Sequence, residues 1–129
     1  MRPNEISYKV IGAAMRVHTA LGVGLLESVY EKCLSNEFTR ALLQFRRQAR
    51  LPVVYDGTTI TPAYTIDFTV ENLVVVEIKC VERLLPVHRA QLLSYLKLTA
   101  LPLGLLLNFK VPHLRDGIVR VINVPEVDL

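Results

Sequence analysis

The sequence lacks the apolar segments that carry a chain into a membrane or out of the cell. The longest stretch without a charged residue, residues 98–109, contains Pro102 and Gly104 and is too short to span a bilayer. Residues 1–5 contain no apolar run of the kind found in secretion signals. We therefore expect a cytoplasmic protein that does not contact a membrane.

Cysteine is also scarce, because Cys33 and Cys80 are the only two in the chain. They fall in a predicted helix and a predicted strand, and without a secretion signal free thiols are expected rather than a disulfide. Internal repeats, linkers and low-complexity segments are missing, so residues 1–129 are expected to form a single domain around one core. The net charge of +3 permits an anionic partner without requiring one.

Hydrophobic periodicity and turn residues predict an α/β chain with the element order α-α-β-β-β-α-β-β. Asn4 is expected to cap the first helix, and Pro52 suggests an edge strand or an irregular strand end. Turns at 56–57 and 71–72 would join the first three strands into an antiparallel meander. The almost wholly apolar fourth strand is expected to be covered on both faces. The predicted helices cover 4–20, 25–43 and 87–99, and the predicted strands cover 44–55, 63–70, 73–80, 103–109 and 118–124.

Three ionisable residues interrupt the apolar strands of this meander: Asp67, and then Glu77 and Lys79 on either side of Ile78. Side chains in a strand alternate between faces, so Glu77 and Lys79 share one face, and a turn at 71–72 would bring Asp67 beside them. Charged side chains are seldom buried without a partner or a metal ion. The two carboxylates and the carbonyl of Ile78 could bind Mg²⁺, and Lys79 could stabilise the negative charge that develops during phosphodiester hydrolysis.

The same pattern has a simpler interpretation, in which a cross-strand Glu–Lys pair forms and Asp67 lies at a sheet edge. Taken alone, the spacing of the three residues favours this simpler interpretation. Two further features point to a functional site. The first is Glu27, which falls on the apolar stripe of its helix, where a carboxylate needs a cation, a donor or the helix N-terminus.

The second feature is a polar face on the third predicted helix, formed by His88, Gln91 and Tyr95 at helical spacing. Gln91 and Tyr95 could hold a phosphate or a water molecule. In the alternative interpretation Tyr95 is a half-buried tyrosine with a satisfied hydroxyl and Gln91 is a solvated neighbour. A lone histidine such as His88 or His18 is more often structural than catalytic.

The segment from Gly24 to Tyr30 resembles the signature of the GxxExxY protein family, a part of the PD-(D/E)xK nuclease superfamily. The resemblance extends over most of the chain in further motifs, among them Val17-His18, Gln48 with 51–53 and Tyr55, Ile66-Asp67, Glu77-Ile78-Lys79, Gln91 with Tyr95, Asn108-Phe109 and Asp116-Gly117-Ile118.

This resemblance implies a restriction-endonuclease-like fold, with a mixed central sheet flanked by helices. It also implies Asp67, Glu77 and Lys79 as the catalytic triad, with Glu27, Gln91 and Tyr95 as accessory residues. The metal ligands would be Asp67, Glu77 and Ile78, and the cofactor would be Mg²⁺, with Mn²⁺ as a substitute.

A basic strand segment is the expected contact to nucleic acid. Alternation places Arg46, Gln48 and Arg50 on one face, where they could hold the phosphate backbone without reading sequence, with His88 as a further contact. Losing Arg46 and Arg50 together should then weaken binding and flatten its dependence on salt.

Three hypotheses follow from the sequence. The leading one is a magnesium-dependent nuclease acting on DNA, or with less support on RNA. The second is a catalytically silent nucleic-acid-binding or assembly module that keeps the nuclease fold, and the third is a salt-bridged core without metal. A homodimer is reasonable, because cutting both strands of a duplex needs two sites.

Overall fold

The computed structural model describes the backbone of residues 1–129 and the side chains of residues 1–61 and 64–129. The predicted order of helices and strands is confirmed, with two short 3₁₀ helices added at Leu114–Gly117 and Glu126–Asp128. The helices are α1 (Pro3–Leu21), α2 (Glu27–Arg40) and α3 (Pro86–Thr99), and the strands are β1 (Phe45–Tyr55), β2 (Thr58–Val70), β3 (Val74–Lys79), β4 (Leu103–Asn108) and β5 (Ile118–Ile122).

The strands form one five-stranded sheet in the order β1-β2-β3-β4-β5. The first three strands make the predicted antiparallel meander, β3 and β4 are parallel with α3 as their crossover, and β5 returns antiparallel to β4. The sheet is therefore mixed, as a restriction-endonuclease-like fold requires, and β1 is an edge strand, as Pro52 suggested.

The apolar side chains form two clusters, one on each face of the sheet, where a single core was expected. The larger cluster joins α1 and α2 to the even-numbered residues Val74, Val76 and Ile78 of β3. The smaller one joins α3 to Val75 and Leu106 on the opposite face. All six residues of β4 are buried, which confirms that this strand is covered on both sides.

The ends of two helices differ from the prediction. Helix α1 begins at Pro3 after the extended residue Arg2, so Asn4 lies inside the first turn and is not the cap. Proline supplies a helical φ and needs no hydrogen-bond partner for its nitrogen, which suits the first helical position. Helix α2 is shorter than 25–43, since Leu42 has a φ of 59° and turns the chain toward β1.

Gly117 precedes β5 and approaches β4 so closely that no side chain fits there. A Cβ atom at Gly117 would lie 2.5 Å from the backbone oxygen of Asn108 and 2.8 Å from Val111. We expect Gly117→Ala to destabilise the protein by about 1–3 kcal/mol, because β4 would have to move. The matched substitution Gly12→Ala in α1 meets no contact closer than 3.7 Å.

Gly12→Ala should stabilise the helix by about 0.5–1 kcal/mol, since alanine loses less backbone entropy than glycine. Chemical denaturation of both variants measures the two effects. Equal stabilities of the two variants would contradict the close approach at Gly117.

Candidate active site

The two acidic residues of the meander meet where β2 and β3 separate. The backbone ladder between these strands pairs residues 68–70 with 74–76, and the next positions along it are Asp67 and Glu77. There, side chains replace the ladder. The backbone N–H of Asp67 donates to Glu77 Oε2 at 2.8 Å, and the N–H of Ile78 donates to Asp67 Oδ2 at 2.8 Å. Each carboxylate is thus held by the backbone of the opposite strand.

The strand itself switches faces at Asp67. Ile66 packs with the α3-side cluster and Phe68 with the α1/α2-side cluster, although residues two apart in a regular strand share a face. The switch places Asp67 at the gap between the strands. Because β2 lies between β1 and β3, Asp67 is not at a sheet edge, and the simpler interpretation is wrong on this point.

Glu77 is the more deeply buried of the two acids, with 6% of its surface exposed. Burial has the largest effect and the negative charge of Asp67 the second largest, and together they raise the pKa of Glu77 to about 8. The hydrogen bond from the Asp67 backbone and the charge of Lys79 lower this pKa. At neutral pH the metal-free pair therefore holds one proton. A bound cation would remove the need for it.

Lys79 follows on the same face of β3 as Glu77 and is half-buried. Its charge lowers the pKa of both Glu77 and Glu27, so it lies within electrostatic range of the two acids. The ion pairs found among residues 1–61 and 64–129 do not include Lys79. The Glu–Lys cross-strand pair of the simpler interpretation is therefore not found, and no acid of the described residues forms an ion pair with the ammonium group.

Glu27 is near the acidic pair, but not in the way the helical wheel predicted. Tyr30, Leu34 and Phe38 form the buried stripe of α2, whereas Glu27 is exposed at the first residue of the helix. Partial burial and the charge of Asp67 still raise the pKa of Glu27, while Lys79 lowers it. The expected burial is wrong because α2 begins only at Glu27, and its first turn projects beyond the core.

The rest of the Gly24–Tyr30 signature has a structural role that the sequence did not reveal. The ring of Tyr30 is buried and stacks on Phe109 at 4.5 Å between ring centroids. Its hydroxyl donates to the Gly22 carbonyl at 2.5 Å and accepts from the Leu25 N–H at 3.3 Å. Tyr30 thereby fixes the loop that leads to Glu27.

The polar face of α3 meets the acidic pair through Tyr95. Burial, and then the charge of Glu77, raise the pKa of the Tyr95 phenol. The side chain is 5% exposed, and within the described side chains its hydroxyl makes no hydrogen bond although every buried side-chain nitrogen and oxygen has a partner. The alternative interpretation, a tyrosine with a satisfied hydroxyl, therefore finds no support among the described side chains.

Two of the three histidines, His18 and His88, make hydrogen bonds that stabilise the fold. His88 Nδ1 accepts the N–H of Leu85 at 3.0 Å and so caps α3, while buried His18 bonds the Val111 carbonyl through Nε2 at 2.9 Å. Gln91 lies one turn before Tyr95 and is half-buried. The contacts of His88 and Gln91 with substrate stay predictions.

The basic strand β1 differs from its predicted pattern. Phe45 packs with the α1/α2-side cluster and Ala49 with the α3-side cluster, because Gln48 has a φ of 51° and interrupts the alternation. Arg46 and Arg50 consequently lie on opposite faces of the strand, and the prediction that they share a face is wrong. Their binding to nucleic acid stays a prediction.

Sequence reasoning assigned no role in the site to Glu31 or Asn108. Glu31 Oε1 accepts a hydrogen bond from Gln48, and Glu31 lines, with Glu27, Ser28, Gln48, Asp67 and Ile78, a cavity of about 360 Å³ beside the acidic pair. Helical spacing from Glu27 could have indicated Glu31, since residues four apart share a face. Buried Asn108 bonds both the N–H and the carbonyl of Val81 and fixes the chain just after Lys79.

A comparison with protein-family models matches residues 4–121 to the PD-(D/E)XK nuclease superfamily. The chain belongs to this superfamily. Searches of curated proteins and of solved structures found no match. The narrower resemblance to the GxxExxY family stays a prediction.

The assignment of Asp67, Glu77 and Lys79 as the catalytic triad of this PD-(D/E)XK chain stays a prediction. Ile66 occupies the position that the name gives to proline, and it is buried against the α3 side of the sheet. Both cysteines are free thiols, as predicted, and burial raises the pKa of Cys80, which follows the triplet. No helix in the described part of the chain is long and apolar enough to cross a membrane.

Proposed function

We propose that this chain is a magnesium-dependent nuclease that hydrolyses phosphodiester bonds in DNA, with residues 1–129 as one catalytic domain in the cytoplasm. The observation that carries the proposal is the Asp67–Glu77 pair, two carboxylates each held by the backbone of the other's strand, with the pKa of Glu77 raised. Lys79 lies beside them and has no ion-pair partner among residues 1–61 and 64–129. Membership of a nuclease superfamily supports nucleic acid as the substrate. A homodimer would supply one site for each strand of a duplex.

The donor atoms around the pair suit a hard cation such as Mg²⁺. Glu77 accepts a hydrogen bond at Oε2, and Asp67 accepts one at Oδ2 and a longer one, at 3.3 Å, at Oδ1. Each carboxylate oxygen can accept more than one bond, so both residues keep acceptor capacity for a metal. A strand residue directs its N–H and C=O to the same side, so the Ile78 carbonyl also points into the gap and can be the third ligand. No group of three or more His, Cys, Asp or Glu side chains able to hold a metal occurs among the described residues.

Such an arrangement fits magnesium, which is commonly bound through one or two carboxylates, with water and substrate phosphates completing the octahedron. The same oxygen ligands would accept Mn²⁺. When bound, the metal would lower the pKa of a water molecule and polarise the phosphoryl oxygens. Zinc, which prefers nitrogen and sulfur ligands, is disfavoured.

The protein's own side chains then have separate tasks. Lys79 would stabilise negative charge on the attacking and phosphoryl oxygens. Tyr95, whose pKa is raised by burial and by the charge of Glu77, would orient the scissile phosphate together with Gln91. Glu27, whose pKa is raised, would hold or exchange a proton at the mouth of the site.

Calorimetric titration with Mg²⁺ or Mn²⁺ should show binding that strengthens as the pH rises toward about 8. Below that value Glu77 carries a proton that the metal must displace, so affinity should increase up to about tenfold per pH unit, with release of protons to the buffer. Asp67→Ala and Glu77→Ala should each abolish binding. Glu82→Ala, which removes an exposed carboxylate outside the site, is the matched control. Absence of binding by the parent protein would favour a metal-free core.

A panel of duplex, branched and single-stranded DNA, with RNA counterparts, tests the activity itself. The proposal expects strand cleavage that needs Mg²⁺ or Mn²⁺ and stops on chelation. Metal and nucleic-acid binding without cleavage of any substrate would contradict the enzymatic proposal and support the silent binding module instead.

A further inference from the structure

Gln48 has an unusual backbone conformation in the middle of an otherwise extended strand. Its φ is 51°, in the left-handed region that residues other than glycine seldom adopt. The flanking pairs Arg47↔Phe68 and Ala49↔Ile66 place it directly opposite Asp67. Non-glycine residues in this region persist where surrounding structure holds them, and they are common at functional sites.

The side chain of Gln48 lies between two carboxylates. Its amide nitrogen donates to Glu31 Oε1 and, at 3.3 Å, to Asp67 Oδ1. Only the NH₂ group of the amide can donate to both, since ionised carboxylates accept but do not donate. Glu31 is in turn held by Arg47, whose Nη2 lies 3.3 Å from Glu31 Oε2.

Asp67 is consequently held at both oxygens. The Ile78 N–H fixes Oδ2 at 2.8 Å, and the Gln48 amide reaches Oδ1. A lysine or arginine in place of Gln48 would neutralise the carboxylate and compete with a metal. A neutral amide orients the carboxylate and leaves its charge available to a cation.

We propose that Gln48 is a positioning residue, which orients the Asp67 carboxylate for metal binding and is itself held by Glu31. This inference rests on the proposed function. Gln48 then has a role different from the nucleic-acid contact predicted from the sequence. The left-handed backbone conformation is also explained, because it turns the Gln48 side chain toward α2 and Asp67.

The substitution Gln48→Gly tests the side chain alone. Glycine adopts a φ of about 51° without strain, so the variant should fold with a thermal midpoint equal to or above that of the parent. Its dissociation constant for Mg²⁺, measured by calorimetry, should nevertheless rise about ten- to hundredfold. Leu42→Gly is the matched control, since Leu42 also has a positive φ of 59° but is 87% exposed at the end of α2.

A metal-free measurement accompanies the titration. The Asp67 carboxylate accepts a hydrogen bond from the Ile78 N–H. In Gln48→Gly this carboxylate loses one of its partners, so the hydrogen-exchange rate of the Ile78 amide should increase at least about tenfold. Leu42→Gly should change neither the exchange nor the affinity for metal. If Gln48→Gly bound metal as tightly as the parent protein, the role proposed for Gln48 would be wrong, and the proposed function would stand. A parent protein that binds no metal would overturn the proposed function and the role of Gln48 with it.

Discussion

Replacement of Lys79 by alanine is expected to lower the cleavage rate at saturating metal by about a hundred- to a thousandfold. Lys79 is half-buried on the same face of β3 as Glu77, and within the described side chains it has no ion-pair partner that would make it structural. Its removal takes away the ammonium group that would stabilise charge in the transition state. Because Lys79 is not a metal ligand, metal affinity should fall much less than the rate.

Two comparisons make the measurement specific. Lys9→Ala removes an exposed lysine from α1 with the same change in net charge, and it should leave cleavage unchanged. Circular dichroism and metal titration of Lys79→Ala should match the parent. Full activity in Lys79→Ala would show that this lysine has no part in the reaction, and loss of folding would assign it to stability.

The stability of the metal-free protein should fall steeply as the pH rises from about 4.5 to about 8. Folded Glu77 has a pKa of about 8 against an ordinary value of 4.5, so over this range the folded state binds a proton that the unfolded chain has lost. Stability from this group is complete below about pH 4.5 and is lost as the pH passes 8. The difference corresponds to about 5 kcal/mol, or on the order of 15 °C in the thermal midpoint.

The variant Glu77→Gln isolates this effect, because a glutamine at the same place cannot titrate. Its thermal midpoint should exceed that of the parent at about pH 8.5 and approach it at about pH 4.5. Saturating magnesium should raise the thermal midpoint of the parent protein at high pH, because binding to the folded state compensates the buried charges. Magnesium should not raise the thermal midpoint of Glu77→Gln. Parallel pH profiles of the two metal-free proteins would contradict the raised pKa.

Local sequence patterns predicted the elements well. The apolar periods and the turns at 56–57 and 71–72 determined the order of helices and strands, and the meander brought Asp67 beside Glu77 as the spacing required. These features depend on neighbours along the chain: a two-residue turn fixes the register of a hairpin, and alternation fixes which side chains share a face.

The errors occur where that alternation or a helix boundary is interrupted. Gln48 and Asp67 stand opposite each other at a point where both β1 and β2 switch faces, so Arg46 and Arg50 were wrongly placed together. Glu27 was placed on a buried stripe because its position on the helical wheel lies close to those of Tyr30, Leu34 and Phe38, but it is the first residue of the helix and is exposed. Helix α2 begins at Glu27, and the preceding loop is bonded at Gly22 and Leu25 to the Tyr30 hydroxyl.

The sequence by itself determined which elements form and which ionisable residues interrupt the apolar strands. Only the tertiary structure decided how deeply each acid is buried and which oxygens are already bonded. Burial and hydrogen bonding depend on segments distant in the chain: α2 brings Glu31 to Gln48, and α3 brings Tyr95 to Glu77. The raised pKa of Glu77 follows from this packing, which no local pattern records.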